Sequence, residues 1–153
     1  MIIVLLFKGR GVFSQLIRWQ TRSQYSHSAV LIEKNTIIEA WSGSNTVREK
    51  LITDWRDIDV FYADCSLEQR KKIISFLRSK IGHKYDYSAV IRFITKSPTK
   101  NNERYFCSEL VFEAFKSAGI NLLERIDGSI VSPSLLSYSP KLKFYGQLCK
   151  TRS

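Results

Sequence analysis

Three cysteines, two histidines and three prolines are all that the 153 residues contain of those types. Cys65, Cys107 and Cys149 lie far apart with no C-x-x-C pair, which argues against a structural zinc site and against a disulfide framework, and points to a reducing compartment. No long hydrophobic run is present. Residues 2–7 are apolar, but no basic region precedes them and Lys8 ends the run, so it is too short for a signal peptide or a membrane span. The expectation is a buried first strand in a cytoplasmic protein. Glycine-rich phosphate loops and metal-ligand clusters are missing as well, so metal, nucleotide and flavin cofactors have no support. Without repeats, low-complexity tracts or linkers, residues 1–153 read as a single domain.

Acidic residues are the minority charge. Lys and Arg number 24 against 14 Asp and Glu, a net charge of +10. The cations are spread from Lys8 to Arg152, which describes a generally basic surface suited to an anionic cell-wall polymer or lipid. No arginine-rich run, zinc finger or aromatic RNA-binding pattern accompanies the charge, so nucleic acid is not an expected partner.

Hydrophobic periodicity outlines the elements. After the strand at 2–7, a short apolar helix is expected around Val12, Leu16, Ile17 and Trp19. Residues 25–33 and 36–41 read as a hairpin turning at Lys34-Asn35. Residues 42–57 are polar and mixed, with a turn at 42–45, and 58–63 resumes as a strand. Ser66 and Gln69 form a capping-box pattern for a helix with the stripe Ile74, Leu77 and Ile81, stopped by Gly82. An apolar helical piece is expected from Ala89 to Ile94, and 95–104 is the most loop-like stretch. A helix over 107–118 ends at Gly119, Ser132-Pro133 caps a short helix through Leu136, and 142–148 is a final strand. The order implies α+β architecture, a mainly antiparallel sheet packed on a helical layer.

Cys107 stands at a helix start, where unpaired backbone N–H groups and the helix dipole stabilise a thiolate and supply oxyanion donors. The alternative is a small core residue, the reading that also suits Cys65 and Cys149. A thiol nucleophile needs a base and a group to orient it. His27 begins a strand between two small serines; His83 follows the helix-ending Gly82, where a solvent-exposed cap explains it. In a hairpin turning at 34–35, opposed residues sum to about 69. His27 then faces a position near 42, and Glu39 is the return-strand carboxylate within a cross-strand diagonal. The alternative for Glu39 is a solvated strand residue, but in the apolar run Ile37-Ile38-Glu39-Ala40-Trp41 a carboxylate asks for a partner. Tyr85 and Tyr87 are candidate oxyanion donors or simply aromatic core-edge residues. Glu109, if it pointed inward, would oppose a thiolate.

The stretches Trp19-Gln20-Thr21, Tyr25-Ser26-His27-Ser28-Ala29-Val30, Ile38-Glu39-Ala40, Gly82-His83-Lys84-Tyr85-Asp86-Tyr87 and Tyr105-Phe106-Cys107-Ser108-Glu109-Leu110-Val111 together resemble circularly permuted members of the NlpC/p60 papain-like superfamily, of the YiiX/YaeF type. The resemblance spans residues 1 to about 148. In permuted members the histidine strand precedes the cysteine helix, as here. It implies a papain-like fold with Cys107 as nucleophile, His27 as base, Glu39 as the third triad member twelve residues after the base, and Tyr85 as the tyrosine of the family's Gly-x-x-Tyr segment. The span from Tyr85 to Cys107 is longer than in non-permuted relatives. The implied activity is thiol-dependent hydrolysis of a peptide-like amide, with a peptide or acyl-amide substrate such as a cell-wall fragment. A lipid thioesterase or acyltransferase on the same triad, and a non-catalytic binding module, are the alternatives.

Overall fold

The six apolar residues Ile2–Phe7 form β1, and their lack of polar alternation reflects where the strand lies. β2 (His27–Glu33) pairs with it on one side and β5 (Ile58–Ala63) on the other, so β1 is interior to the sheet. This computed structural model describes residues 1–9, 11–55, 57–89, 92, 95 and 103–148. Together with β3 (Thr36–Trp41), β4 (Thr46–Leu51), β6 (Lys84–Tyr85), β7 (Arg104–Tyr105) and β8 (Lys143–Leu148), the strands among these residues form an eight-stranded sheet. Its order is β7-β6-β4-β3-β2-β1-β5-β8. Every pairing is antiparallel except β6 with β7.

Four α-helices accompany the sheet among the described residues: α1 (Val12–Thr21), α2 (Leu67–Ser79), α3 (Cys107–Ser117) and α4 (Pro133–Ser137). The Ser66 hydroxyl accepts from the Gln69 N–H at 3.0 Å while the Gln69 amide oxygen accepts from the Ser66 N–H at 3.0 Å, so two orphan donors at the start of α2 are satisfied reciprocally. The buried residues of α2 are Ile73 and Leu77, and Ile81 is exposed beyond the helix end. The expected stripe was therefore displaced by one residue at its start and one turn too long. Gly82 and Gly119 follow α2 and α3 with φ of +90° and +76°, a conformation that glycine adopts without steric cost.

α3 packs on α2 and lies across β2 and β3. Period-two alternation divides the sheet's apolar residues accordingly. Val30, Ile32, Ile38 and Ala40 join α2 and α3 in the larger core, whereas Leu5, Ala29, Ile37, Ile58 and Val60 build a smaller cluster with Ile52. The architecture is the expected α+β one, a mainly antiparallel sheet with a helical layer.

Three local expectations differ. Residues 46–51, read as irregular, form β4, whose Thr-Val-Arg-Glu-Lys-Leu sequence buries Val47 and carries charge elsewhere. Arg104, read as loop, pairs in β7. α1 forms where expected and buries Ile17, yet Val12, Leu16 and Trp19 face outward. The expected helix over 89–94 and the loop over 95–104 fall mostly outside the described residues, as does Cys149. Among the described residues no helix is long and apolar enough to cross a membrane.

Candidate active site

Cys107 is the first residue of α3, preceded by the extended and wholly buried Phe106 at the N-cap. The Phe106 N–H donates to Glu109 Oε2 at 3.5 Å, half of a capping box, and the Ser108 hydroxyl donates to the Val131 carbonyl at 2.6 Å. These bonds and the burial of Leu110, Val111 and Phe115 fix the first turn of α3. The N–H groups of that turn have no intrahelical acceptor, so the helix start is an anion-favouring site around the thiol.

Glu109 does point inward and is buried. Its charge is compensated. Arg92, itself 4% exposed, places Nη2 on Asp86 Oδ2 and 3.9 Å from Glu109 Oε2, while Nη1 donates to Ser88 Oγ at 2.6 Å and Nε to the Ser129 carbonyl at 3.0 Å. Burial raises the Asp86 pKa, but the Arg92 and Ser88 bonds outweigh it and hold the carboxyl below its ordinary value. Arg92 thus ties the segment after β6 to both α3 and the 3-10 turn Gly128–Ile130. Arg92→Met is expected to cost about 3–5 kcal/mol of stability, because two buried carboxylates lose their cation. Urea denaturation of the variant measures it.

His27, the first residue of β2, is 7% exposed, and its Nε2 lies 2.7 Å from Glu39 Oε2. Cys107 is the other group that acts on the charge of the ring, on top of Glu39. What brings Glu39 there is a β-bulge. Glu33 pairs with Thr36, a sum of 69, but the register shifts between Leu31 and Glu33, after which Leu31 pairs with Ile37 and Val30 with Ile38. Opposed residues share a face, and a one-residue slip exchanges the faces. Without the bulge Glu39 would oppose Val30 and point into the large core. With it, Glu39 lies on the face of Ala29 and His27, one diagonal from the ring. Continuing the same register sets His27 against Trp41, and those two rings meet edge to face with centroids 5.1 Å apart.

β4 supplies a residue that the sequence reading missed. Arg48 is the direct cross-strand partner of Glu39 and grips Oε1 with Nε at 3.0 Å and Nη2 at 2.8 Å. Its guanidinium also stacks on Trp41, 5.2 Å from the ring centroid, and Lys50 Nζ lies 3.8 Å from the same Glu39 oxygen. Reading 46–51 as a strand after the turn at 42–45 would have paired Glu39 with Arg48. Burial raises the Glu39 pKa, yet His27, Arg48 and Lys50 overcome it and bring the carboxyl down to about 2. For His27 burial disfavours the imidazolium, but Cys107 and then Glu39 outweigh burial and raise its pKa to about 9.

Tyr85 is 2% exposed, and burial together with the neighbouring Cys107 pushes its pKa up, so the phenol keeps its proton. The long span from Tyr85 to Cys107 does not separate them. β6 and β7 pair Tyr85 with Tyr105, two residues before the cysteine, so the excursion leaves and returns at the same place. The Tyr85 ring packs against Phe106 with centroids 5.6 Å apart. Tyr87 is half-exposed and donates to the Ser42 carbonyl at 2.7 Å. His83 stacks on Tyr105, and its carbonyl accepts from the Val47 N–H, a structural position. Cys65 is partly buried against the core.

Among solved structures, the metalloprotein yiiX from Escherichia coli O157:H7 matches with a TM-score of 0.76 over 97% of each chain, at 18% sequence identity. No curated protein matches the chain. The family model described as permuted papain-like amidase enzyme, YaeF/YiiX, C92 family, matches residues 3–129, a span that holds Cys107, His27, Glu39 and Tyr85. On that match, the chain belongs to the permuted papain-like amidases of the YaeF/YiiX, C92 family.

Proposed function

We propose that the protein is a cysteine amidase that cleaves a peptide-like amide through an acyl-enzyme on Cys107. The observation that carries this reading is the His27 ring, held between the Cys107 side chain and Glu39 Oε2 at 2.7 Å at the start of α3. An imidazolium stabilised at neutral pH beside the sulfur is the form in which the thiol proton has moved to the ring.

The thiolate attacks the amide carbonyl carbon, forming a C–S bond and an oxyanion. The N–H groups of the first turn of α3 donate to that oxygen, and Tyr85, buried against Phe106, is the candidate side-chain donor. The C–N bond breaks as His27 gives its proton to the leaving nitrogen, which departs as an amine and leaves a thioester. His27, now neutral, takes a proton from water as the hydroxide oxygen attacks the thioester carbonyl. The carboxylic acid leaves, and sulfur and ring return to the starting ion pair. Glu39, ionised and gripped by Arg48, fixes the ring orientation and takes no proton itself.

The structural neighbour yiiX is described as a metalloprotein. In this chain the described residues contain no group of three or more His, Cys, Asp or Glu side chains able to hold a metal ion. Nε2 of His27 is already engaged by Glu39, and the residues present do not fit such a site.

The test is to trap the intermediate. Incubation with a peptide amide and rapid acid quenching should leave an acyl adduct that mass spectrometry assigns to Cys107. A fatty acyl adduct formed on parallel incubation with a phospholipid, with none from the peptide amide, would favour the thioesterase alternative. An absent adduct, with Cys107 inert to iodoacetamide at neutral pH, would mean a binding module.

A further inference from the structure

All fourteen Asp and Glu residues lie between Glu33 and Asp127. Residues 1–32 carry four cations and no acid, and residues 128–153 another four and no acid, so the two ends hold eight of the ten net positive charges. The basic charge is therefore not spread evenly, as the distribution of cations alone had suggested. The fold brings these two ends together. A hollow lined by Arg18, Trp19 and Arg22 of α1 and its C-cap shares Arg22, Ser23 and Gln24 with a second hollow lined by Tyr138 and Phe144. Among the described residues no carboxylate lines either one. Asp59, beneath Tyr25, is buried and tied to Lys8 at 2.8 Å and to the Tyr25 hydroxyl. Lys143 is engaged by Asp64, so Arg18 and Arg22 carry the local charge.

The same surface is apolar where it should be polar. α1 buries Ile17 towards the core and turns Val12, Leu16 and Trp19 outward at i, i+4 and i+7, exposed by 86%, 46% and 74%. Tyr138 and Phe144 beside it are 76% and 59% exposed. A surface helix normally has one apolar face, and this one has two. Arginines with exposed aromatic rings would suit a single-stranded nucleic acid, but Val12 and Leu16 have no ring to stack on a base and would stay in water. A lipid surface takes every group: the aliphatic and aromatic side chains enter the acyl boundary, and the arginines meet the headgroup phosphates.

We propose that the outer face of α1, with Tyr138 and Phe144 beside it, is a docking surface for a bilayer bearing anionic lipids. This stands independently of the amidase reading. α1 lies flat in the interface, and the chain runs from its C-cap at Arg22 straight into β2 and His27.

The experiment is co-sedimentation of the full chain with vesicles of phosphatidylcholine alone and of phosphatidylcholine mixed with phosphatidylglycerol. Binding is expected to the anionic vesicles and to weaken as salt is raised. Arg18→Gln with Arg22→Gln should lower the partition coefficient about 25-fold, from about fivefold per arginine. Leu16→Ala with Trp19→Ala should lower it about a hundredfold. Lys71→Gln with Lys72→Gln on α2, an equal loss of charge elsewhere, should leave binding near the wild-type level. Five of the six side chains are exposed, Arg18 is half-buried with Nη1 donating to the Gly9 carbonyl at 3.2 Å, and circular dichroism checks that each variant is folded. The proposal is overturned if anionic vesicles do not bind the wild type, if the α2 pair loses as much as the arginine pair, or if the Leu16/Trp19 variant binds undiminished. Retention of single-stranded RNA without vesicle binding, or self-association through α1 without it, overturns the proposal equally.

Discussion

Cys107→Ala is expected to lower kcat/KM on a peptide amide by about four orders of magnitude or more, with the fold intact. The reasoning separates two roles that a buried cysteine can have. As a core residue 1% exposed, its replacement by alanine removes one sulfur atom and leaves a small cavity, worth on the order of 1 kcal/mol. As a nucleophile, its replacement removes the covalent step altogether, and what survives is the effect of the oxyanion donors and of substrate positioning. Near-normal urea denaturation with lost turnover is therefore the expected combination. Full turnover in the variant would sink the thiol mechanism. Cys107→Ser tests the point from another side. Its hydroxyl keeps the size but holds its proton far more tightly than a thiol, so an ion pair with His27 does not form and activity should fall nearly as far.

How much of this was legible in the sequence depended on the distance over which each feature is determined. Cys107 at the start of α3 and His27 at the start of β2 were readable because helix starts, strand alternation and the scarcity of histidine are local properties of the chain. Elimination points to Glu39, but on a register that turns it into the core. The shift between Leu31 and Glu33 that corrects its face leaves no compositional mark, because Ile32 is as apolar as its neighbours. Arg48 was invisible for a related reason. β4 is mostly charged, and its place inside the sheet comes from pairing with β3 and β6 rather than from its own hydrophobicity. The proximity of Tyr85 to Cys107 rests on the parallel β6–β7 contact across a long excursion, which no local pattern encodes. The inward position of Glu109 needed Arg92 to be tolerable, a pairing that only the tertiary structure makes.

His27→Ala should lower kcat by about three to four orders of magnitude, and Glu39→Gln by less, but with a change in pH profile that identifies its role. In the proposed cycle the imidazolium must be present to protonate the leaving nitrogen, so activity falls as His27 loses its proton. Its pKa, raised from 6.5 to about 9 by Cys107 and Glu39 against the cost of burial, places the alkaline limb of kcat/KM near pH 9. The sign for stability follows from the same shift. The stabilisation from these contacts is complete below pH 6.5 and is lost as pH rises from 6.5 towards 9. For Glu39 the opposite holds: its contribution is complete above 4.5 and is lost as pH falls towards 2. Glu39→Gln keeps a hydrogen-bond acceptor beside Nε2 but removes the negative charge, leaving Arg48 and Lys50 near the ring without their counter-ion. Both changes disfavour the imidazolium, so the alkaline limb should move down by about one pH unit or more. A residue that only packed the ring would change kcat without moving the limb. If the Glu39→Gln profile superimposes on the wild type, Glu39 does not act on the protonation of His27, and its grip on Arg48 serves the sheet rather than the reaction.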